Sequence, residues 1–105
     1  MHWVYLVLAG IFEVIWASTM KQSAGFTKLM PSIITVVTMV ISFALLAIAM
    51  RSLPLGTAYA IWTGIGAVGA FLVGIFLLGE AATFFRIASV SLILAGIIGL
   101  KVSTP

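Results

Sequence analysis

Charged residues are scarce in this sequence, and cysteine is missing altogether. Only 7% of the 105 residues are Asp, Glu, Lys or Arg, whereas soluble domains contain about 25%. So few charged side chains cannot cover a surface that faces water, so lipid must form part of the solvent. The lack of cysteine excludes disulfide bonds and thiolate metal sites.

Several functional classes receive little support. The net charge is +3, but the five basic residues are scattered and form no basic run with aromatic residues between them, so nucleic acid is not an expected partner. The single histidine, His2, lies at the end of the chain, and no metal cluster or nucleophile–base pair is evident. We therefore expect neither an enzyme nor a bound cofactor.

Four apolar runs span residues 3–20, 30–50, 57–78 and 84–102. Each is close to the ~20 residues that a bilayer-spanning helix requires. The short breaks between them, "KQSAGFTKLMP", "RSLPLG" and "GEAATF", contain turn and boundary residues. The first run has no basic residue before it, so we interpret it as a retained span and not a signal peptide. The sequence predicts an all-α membrane protein, a single four-helix domain over residues 1–105 with antiparallel neighbouring helices.

Glu13 interrupts the first apolar run, in "LAGIFEVIWAS". A charged group at the bilayer centre costs roughly 3 kcal/mol, and intramembrane acids usually mark pathways. Lys21 is two turns away, and Lys101 is near a helix end, where its side chain can reach the interface. The partner of an ionised Glu13 must then be a proton or a cationic substrate. A carboxylate with two mutually exclusive occupants is the chemical core of an antiporter. The structural alternative is a carboxyl group that stays protonated and hydrogen-bonds a neighbouring helix.

Aromatic and polar residues are predicted to surround this carboxylate. Trp16 lies beside Glu13 on the first helix, and Tyr59 and Trp62 share a face of the third. Their rings can attract a cation, with about 0.5–2 kcal/mol for each contact. Ser42 is a lone polar residue deep in the second helix.

Small residues recur on the third and fourth helices. The segment "GIGAVG", residues 64–69, matches a dinucleotide-binding pattern, but it lies inside an apolar helix and not between a strand and a helix. Its glycines instead allow close approach of another helix and bending. On the fourth helix small residues share one face, and spacing alone does not decide whether this face packs within one chain or between chains. These residues are Ala88, Ser91, Ala95 and Gly99.

The loop charges are nearly balanced across the membrane. Lys21, Lys28 and Arg86 fall on one side, and Arg51 and Lys101 fall on the other. This is a weak bias under the positive-inside rule. Transporters usually place the site between two repeats, which are often inverted, but this sequence contains no internal repeat. Two copies inserted in opposite orientations would supply the missing symmetry.

The motifs "GIFEVIWA", "GFTKLMPS" and "PLGTAYAIWTGIGAVGA" resemble the small multidrug resistance family over essentially the whole chain. Trp16 and the segment "GIIGLK" resemble its guanidinium exporter subtype. The resemblance implies an antiparallel homodimer in the bacterial inner membrane that exports guanidinium in exchange for protons. It maps the shared substrate and proton carboxylate onto Glu13, and dimer packing onto the fourth helix. It places pocket support at Trp16, Ser42, Tyr59 and Trp62, and a conformational hinge at Gly64 and Gly66. In the site that the resemblance implies, we expect Ser42 and the indole N–H of Trp62 to hold the carboxylate, and Trp16 to narrow the pocket in favour of a small polar cation.

Three alternatives remain open. An exporter of larger quaternary ammonium drugs belongs to the same class. A proton-translocating subunit of a rotary machine also carries an intramembrane acid, but four spans argue against a two-helix ring subunit. The third is a membrane assembly subunit with a permanently protonated Glu13.

Overall fold

Four long helices make up almost all of the part of the chain that the computed structural model describes, residues 2–103. They are α1 (His2–Gln22), α2 (Leu29–Ala49), α3 (Leu55–Leu77) and α4 (Phe84–Ser103), and no strand occurs within that range. Every helix end lies within two residues of the bound that the apolar runs predict. All four helices are long and apolar enough to cross a membrane. The predicted all-α class is confirmed.

The connection between α1 and α2 is a tight turn organised by Ser23. Its hydroxyl donates to the carbonyl of Met20 over 2.6 Å and accepts from the backbone N–H of Phe26 over 3.0 Å. Ala24, Gly25 and Phe26 all have positive φ angles, a conformation that costs free energy for residues with a Cβ. The buried Ser23 hydroxyl helps to hold this turn, and the turn makes α1 and α2 antiparallel.

The core of the bundle lies where α1 packs against both α2 and α3. Its buried side chains are a mixture of small and large apolar residues, and they lie towards the end of the bundle where α1 begins and α2 ends. They are Leu6, Ala9, Leu46, Ala49, Leu53, Ala58, Ile61 and Trp62. Many other large apolar residues are exposed, as expected for side chains that face acyl chains.

Helix α4 is held differently, because it packs along α3 alone and has no buried residue. Ile93 and Ile97 approach Gly64 of α3, where a Cβ atom would come within 2.7 Å of Ile97 Cδ1. At its end, the Lys101 ammonium lies 4.8 Å from the centre of the Trp3 ring of α1. This side-chain contact links α4 to α1 at one end of the bundle, although the two helices do not pack along each other.

The small-residue face of α4 is turned away from α3. Its members follow the helix on the side opposite Ile93 and Ile97, since residues three and four apart share a face. Ser91, Ala95 and Gly99 are exposed and Ala88 is half-buried. A Cβ atom on Gly99 would meet no atom within 4 Å. Within the described chain this face packs against no other helix, and dimer packing through it stays a prediction.

Candidate substrate site

Glu13 lies at the middle of α1, on the side that packs against α3. Its Oε1 atom is buried and has no hydrogen-bond partner. The carboxylate lies against the backbone of Gly66, where a Cβ atom would overlap Oε1. A buried acceptor without a partner is uncommon in folded proteins and calls for an explanation such as a bound ligand or a functional role.

Glycines bring α1 and α3 close enough to place the carboxylate there. A Cβ atom on Gly10 would lie 2.6 Å from Ile65 Cγ2, and one on Gly69 would overlap the side chain of Val14. Together with Gly66, these positions let the two helices pack at short range, which confirms the close approach predicted from "GIGAVG". Helix α3 runs without interruption through Gly64 and Gly66. A hinge at these two glycines stays a prediction.

Ser42 joins three helices through two hydrogen bonds. Its hydroxyl donates to the carbonyl of Ala9 over 2.6 Å and accepts from the indole N–H of Trp62 over 3.0 Å. Neither group hydrogen-bonds the Glu13 carboxylate within the described chain, and their support of the substrate pocket stays a prediction. They bind each other and the turn of α1 that ends at Glu13, because the N–H of residue 13 is the helical partner of the residue 9 carbonyl. They thereby fix the backbone from which the Glu13 side chain extends.

Four aromatic rings form a continuous row beside this turn. Trp16 and Phe43 have ring centres 6.4 Å apart, Phe43 and Trp62 5.6 Å, and Trp62 and Tyr59 5.5 Å. The Nε1 atom of Trp16 is a second buried polar atom with no hydrogen-bond partner. The site thus holds an unsatisfied acceptor on Glu13 and an unsatisfied donor on Trp16, one helical turn apart.

Phe43 is a member of this row that the sequence did not suggest. It follows Ser42 on α2 and is the only aromatic residue of that helix. Its ring bridges Trp16 of α1 and Trp62 of α3, and its side chain remains exposed. The available signal was a single aromatic residue next to the polar Ser42. Interpreting that signal required the rotation of α2 about its axis, which the sequence does not give.

The charged side chains other than Glu13 are distant from the site, at helix ends and loops. Glu80 lies in the α3–α4 loop, where one carboxylate oxygen is 3.5 Å from the Arg86 guanidinium. Arg86 also donates to the carbonyl of Ala81 and lies 5.1 Å from the centre of the Phe71 ring. Among residues 2–103, no group of three His, Cys, Asp or Glu is arranged to hold a metal ion.

Comparison with known proteins places these features in a family. The family model described as Small Multidrug Resistance protein matches residues 1–93. The chain belongs to the Small Multidrug Resistance family. The matched range includes α1, α2, α3 and the first half of α4, and so contains Glu13 and the whole aromatic row.

Curated members of the Small Multidrug Resistance family are similar to this chain from end to end. A protein named guanidinium exporter from Escherichia coli K12 is 62% identical over 99% of both chains. Proteins with the same name from Citrobacter freundii and Salmonella typhimurium are 60% identical over the same share. With its four apolar spans, this family member is a multi-pass protein of the bacterial inner membrane.

Proposed function

We propose that this protein exports guanidinium and small guanidinyl cations in exchange for protons. The observation that carries the proposal is the buried Glu13 oxygen without a partner, beside a row of aromatic rings. The name shared by relatives that are 60–62% identical supports guanidinium as the substrate. The protein acts as a transporter and not as an enzyme, and protons are its coupling ion.

The chemistry of the site suits a planar cation with several N–H donors. Guanidinium presents the same fork of donors as the arginine head group, which a carboxylate binds through two parallel hydrogen bonds. Either a proton or this cation can satisfy Glu13, so binding of one displaces the other. The ring faces of Trp16 and Phe43 lie near enough to contribute cation–π attraction.

The working unit in this proposal is a homodimer of oppositely inserted copies. The exposed small-residue face of α4 supports it, because such faces allow membrane helices to pack closely. The near balance of loop charges supports both orientations. In this dimer two Glu13 side chains share one site and titrate as a coupled pair, so that proton release is a property of the pair.

The two acidic residues of the chain provide a matched test. Glu13→Gln preserves the size of the side chain and removes its titration, whereas Glu80→Gln makes the same change in the exposed α3–α4 loop. In proteoliposomes with an imposed guanidinium gradient, we expect guanidinium-driven proton movement to disappear in Glu13→Gln and to persist in Glu80→Gln. Coupled exchange at the wild-type rate in Glu13→Gln would refute the proposal.

A substrate panel separates this function from its alternatives. We expect guanidinium and methylguanidinium to drive proton movement more strongly than tetraphenylphosphonium or tetrapropylammonium. A preference for the bulky cations would indicate a multidrug exporter. If no cation in the panel moves protons in a correctly folded preparation, the alternative of an assembly subunit with a permanently protonated Glu13 is supported.

A further inference from the structure

A second polar cleft lies at the end of the bundle where α1 begins and α2 ends. It has a volume of about 460 Å³ and is lined by His2, Tyr5, Ile48, Arg51 and Ser52. These residues come from two helices and the loop that follows α2. The cleft shares no residue with the aromatic row and does not include Glu13. It is therefore a separate site from the one proposed for exchange.

The position of the cleft corresponds to the headgroup level of the membrane. Arg51 follows the last turn of α2, a helix long enough to span the bilayer, and His2 is in the first turn of α1. On the same end, Lys101 lies over the ring of Trp3. Tryptophan, tyrosine and basic side chains at the ends of spans are typical of the interface between acyl chains and water.

The charged side chains at this end of the bundle are all basic. The chain has two acidic residues, of which Glu13 is at mid-span and Glu80 is in the loop at the opposite end of the bundle. Within residues 2–103, no carboxylate forms an ion pair with Arg51, and the recorded ion pair is that of Arg86. Among residues 2–103, Arg51 therefore lines the cleft without a carboxylate partner.

The other lining groups match the chemistry of a phosphate. The hydroxyls of Tyr5 and Ser52 donate hydrogen bonds, and a guanidinium binds phosphate oxygens in a bidentate manner. The first N–H groups of α1 also point to this end, since a helix leaves them without internal partners. Ile48 adds an apolar wall on the membrane side, where the glycerol and first methylenes of a lipid would lie.

We propose that this cleft is a binding site for a phosphate group, with Arg51 as its main ligand and the Tyr5 and Ser52 hydroxyls as further donors. The two sources of such a group are the headgroup of an anionic phospholipid and free inorganic phosphate. The site is independent of guanidinium exchange and would exist in a copy that transports nothing.

The test measures phosphatidylglycerol bound to the purified protein in detergent micelles by native mass spectrometry. We expect Arg51→Gln to weaken binding about fivefold, the effect of one basic residue near an anionic surface. Tyr5→Phe, which removes only one hydroxyl, should weaken it less. Lys28→Gln is the matched control, because it removes one exposed positive charge at the opposite end of the bundle. It should change binding less than twofold.

Two further arms identify the source and guard against misfolding. If inorganic phosphate displaces the lipid, and does so only when Arg51 is present, the site is assigned to the free anion. If inorganic phosphate does not displace the lipid, the site is assigned to the headgroup. Arg51→Lys retains the charge and should bind better than Arg51→Gln, which separates binding from a folding defect. The proposal would be overturned if Arg51→Gln and Lys28→Gln reduced phosphatidylglycerol binding equally, or if Arg51→Gln left that binding unchanged.

Discussion

The carboxylate of Glu13 rests on the bare backbone of Gly66, at a point where the smallest side chain would occupy the space of Oε1. The position of the only mid-membrane acid is therefore set by a residue of another helix that has no side chain. Because protein interiors are closely packed, a methyl group inserted at this contact must displace the carboxylate or separate α1 from α3.

We expect Gly66→Ala to reduce guanidinium exchange at least tenfold while the protein still reaches the membrane. The added methyl group is expected to cost about 1–3 kcal/mol in overpacking and to move the Glu13 oxygens. Gly56→Ala is the control, because it lies in the same helix and its added Cβ meets no atom within 4 Å. The measurement is the rate of guanidinium exchange by both variants. Equal rates in Gly66→Ala and Gly56→Ala would show that the contact with Gly66 does not position Glu13.

Ser42→Ala should destabilise the bundle. The change removes the hydroxyl that joins Ala9 to Trp62 and leaves a buried indole N–H without an acceptor, at a cost of about 1–2 kcal/mol. The free energy of unfolding can be measured by titrating SDS into mixed micelles. Ser89→Ala is the control, since that exposed hydroxyl bonds only to the carbonyl of Phe85 in its own helix. A Ser42→Ala protein as stable as Ser89→Ala would contradict this account.

Trp16→Gly should shift substrate preference towards larger, more apolar cations. The change shortens the aromatic row by one ring and opens space beside Glu13. The loss of one cation–π partner, about 0.5–2 kcal/mol, corresponds to a decrease of about 2- to 30-fold in guanidinium affinity. Competition between guanidinium and tetraphenylphosphonium measures the ranking. Trp3→Gly, which removes an indole from α1 outside the row, should leave that ranking unchanged, and an unchanged ranking in Trp16→Gly would exclude it as a pocket wall.

Orientation in the membrane should respond to changes of one or two loop charges. A membrane-impermeant thiol reagent should label the Ser103→Cys protein from both sides of the membrane. The sequence has no other cysteine, so all labelling reports on position 103. Ser52→Lys combined with Lys28→Gln changes the loop charges from three against two to two against three and should favour one orientation. Thr27→Lys makes them four against two and should favour the other.

Each biased variant alone should lose transport, and co-expression of two oppositely biased variants should restore it. Labelling of active Ser103→Cys protein from one side only would contradict the model of oppositely inserted copies.

The sequence predicted the helices and the acid better than the contacts between them. Span length follows from bilayer thickness, so the apolar runs predicted each helix, and an isolated Glu13 in such a run is conspicuous whatever its neighbours are. The partner of Ser42 depends on how α1, α2 and α3 rotate about their axes, which no local pattern encodes. The same reason explains why Phe43 was missed and why the contact of Lys101 with Trp3 could not be predicted.

The contact between Lys101 and Trp3 has a consequence for gene architecture. An even number of spans places the end of α4 on the side of the membrane where α1 begins, and this contact joins the two helices there. Two copies joined head to tail by a short linker would therefore insert in parallel. A single polypeptide that contained both orientations would need an additional span between its halves. In the proposed dimer of oppositely inserted copies, separate chains would obtain both orientations from one reading frame, without that extra helix.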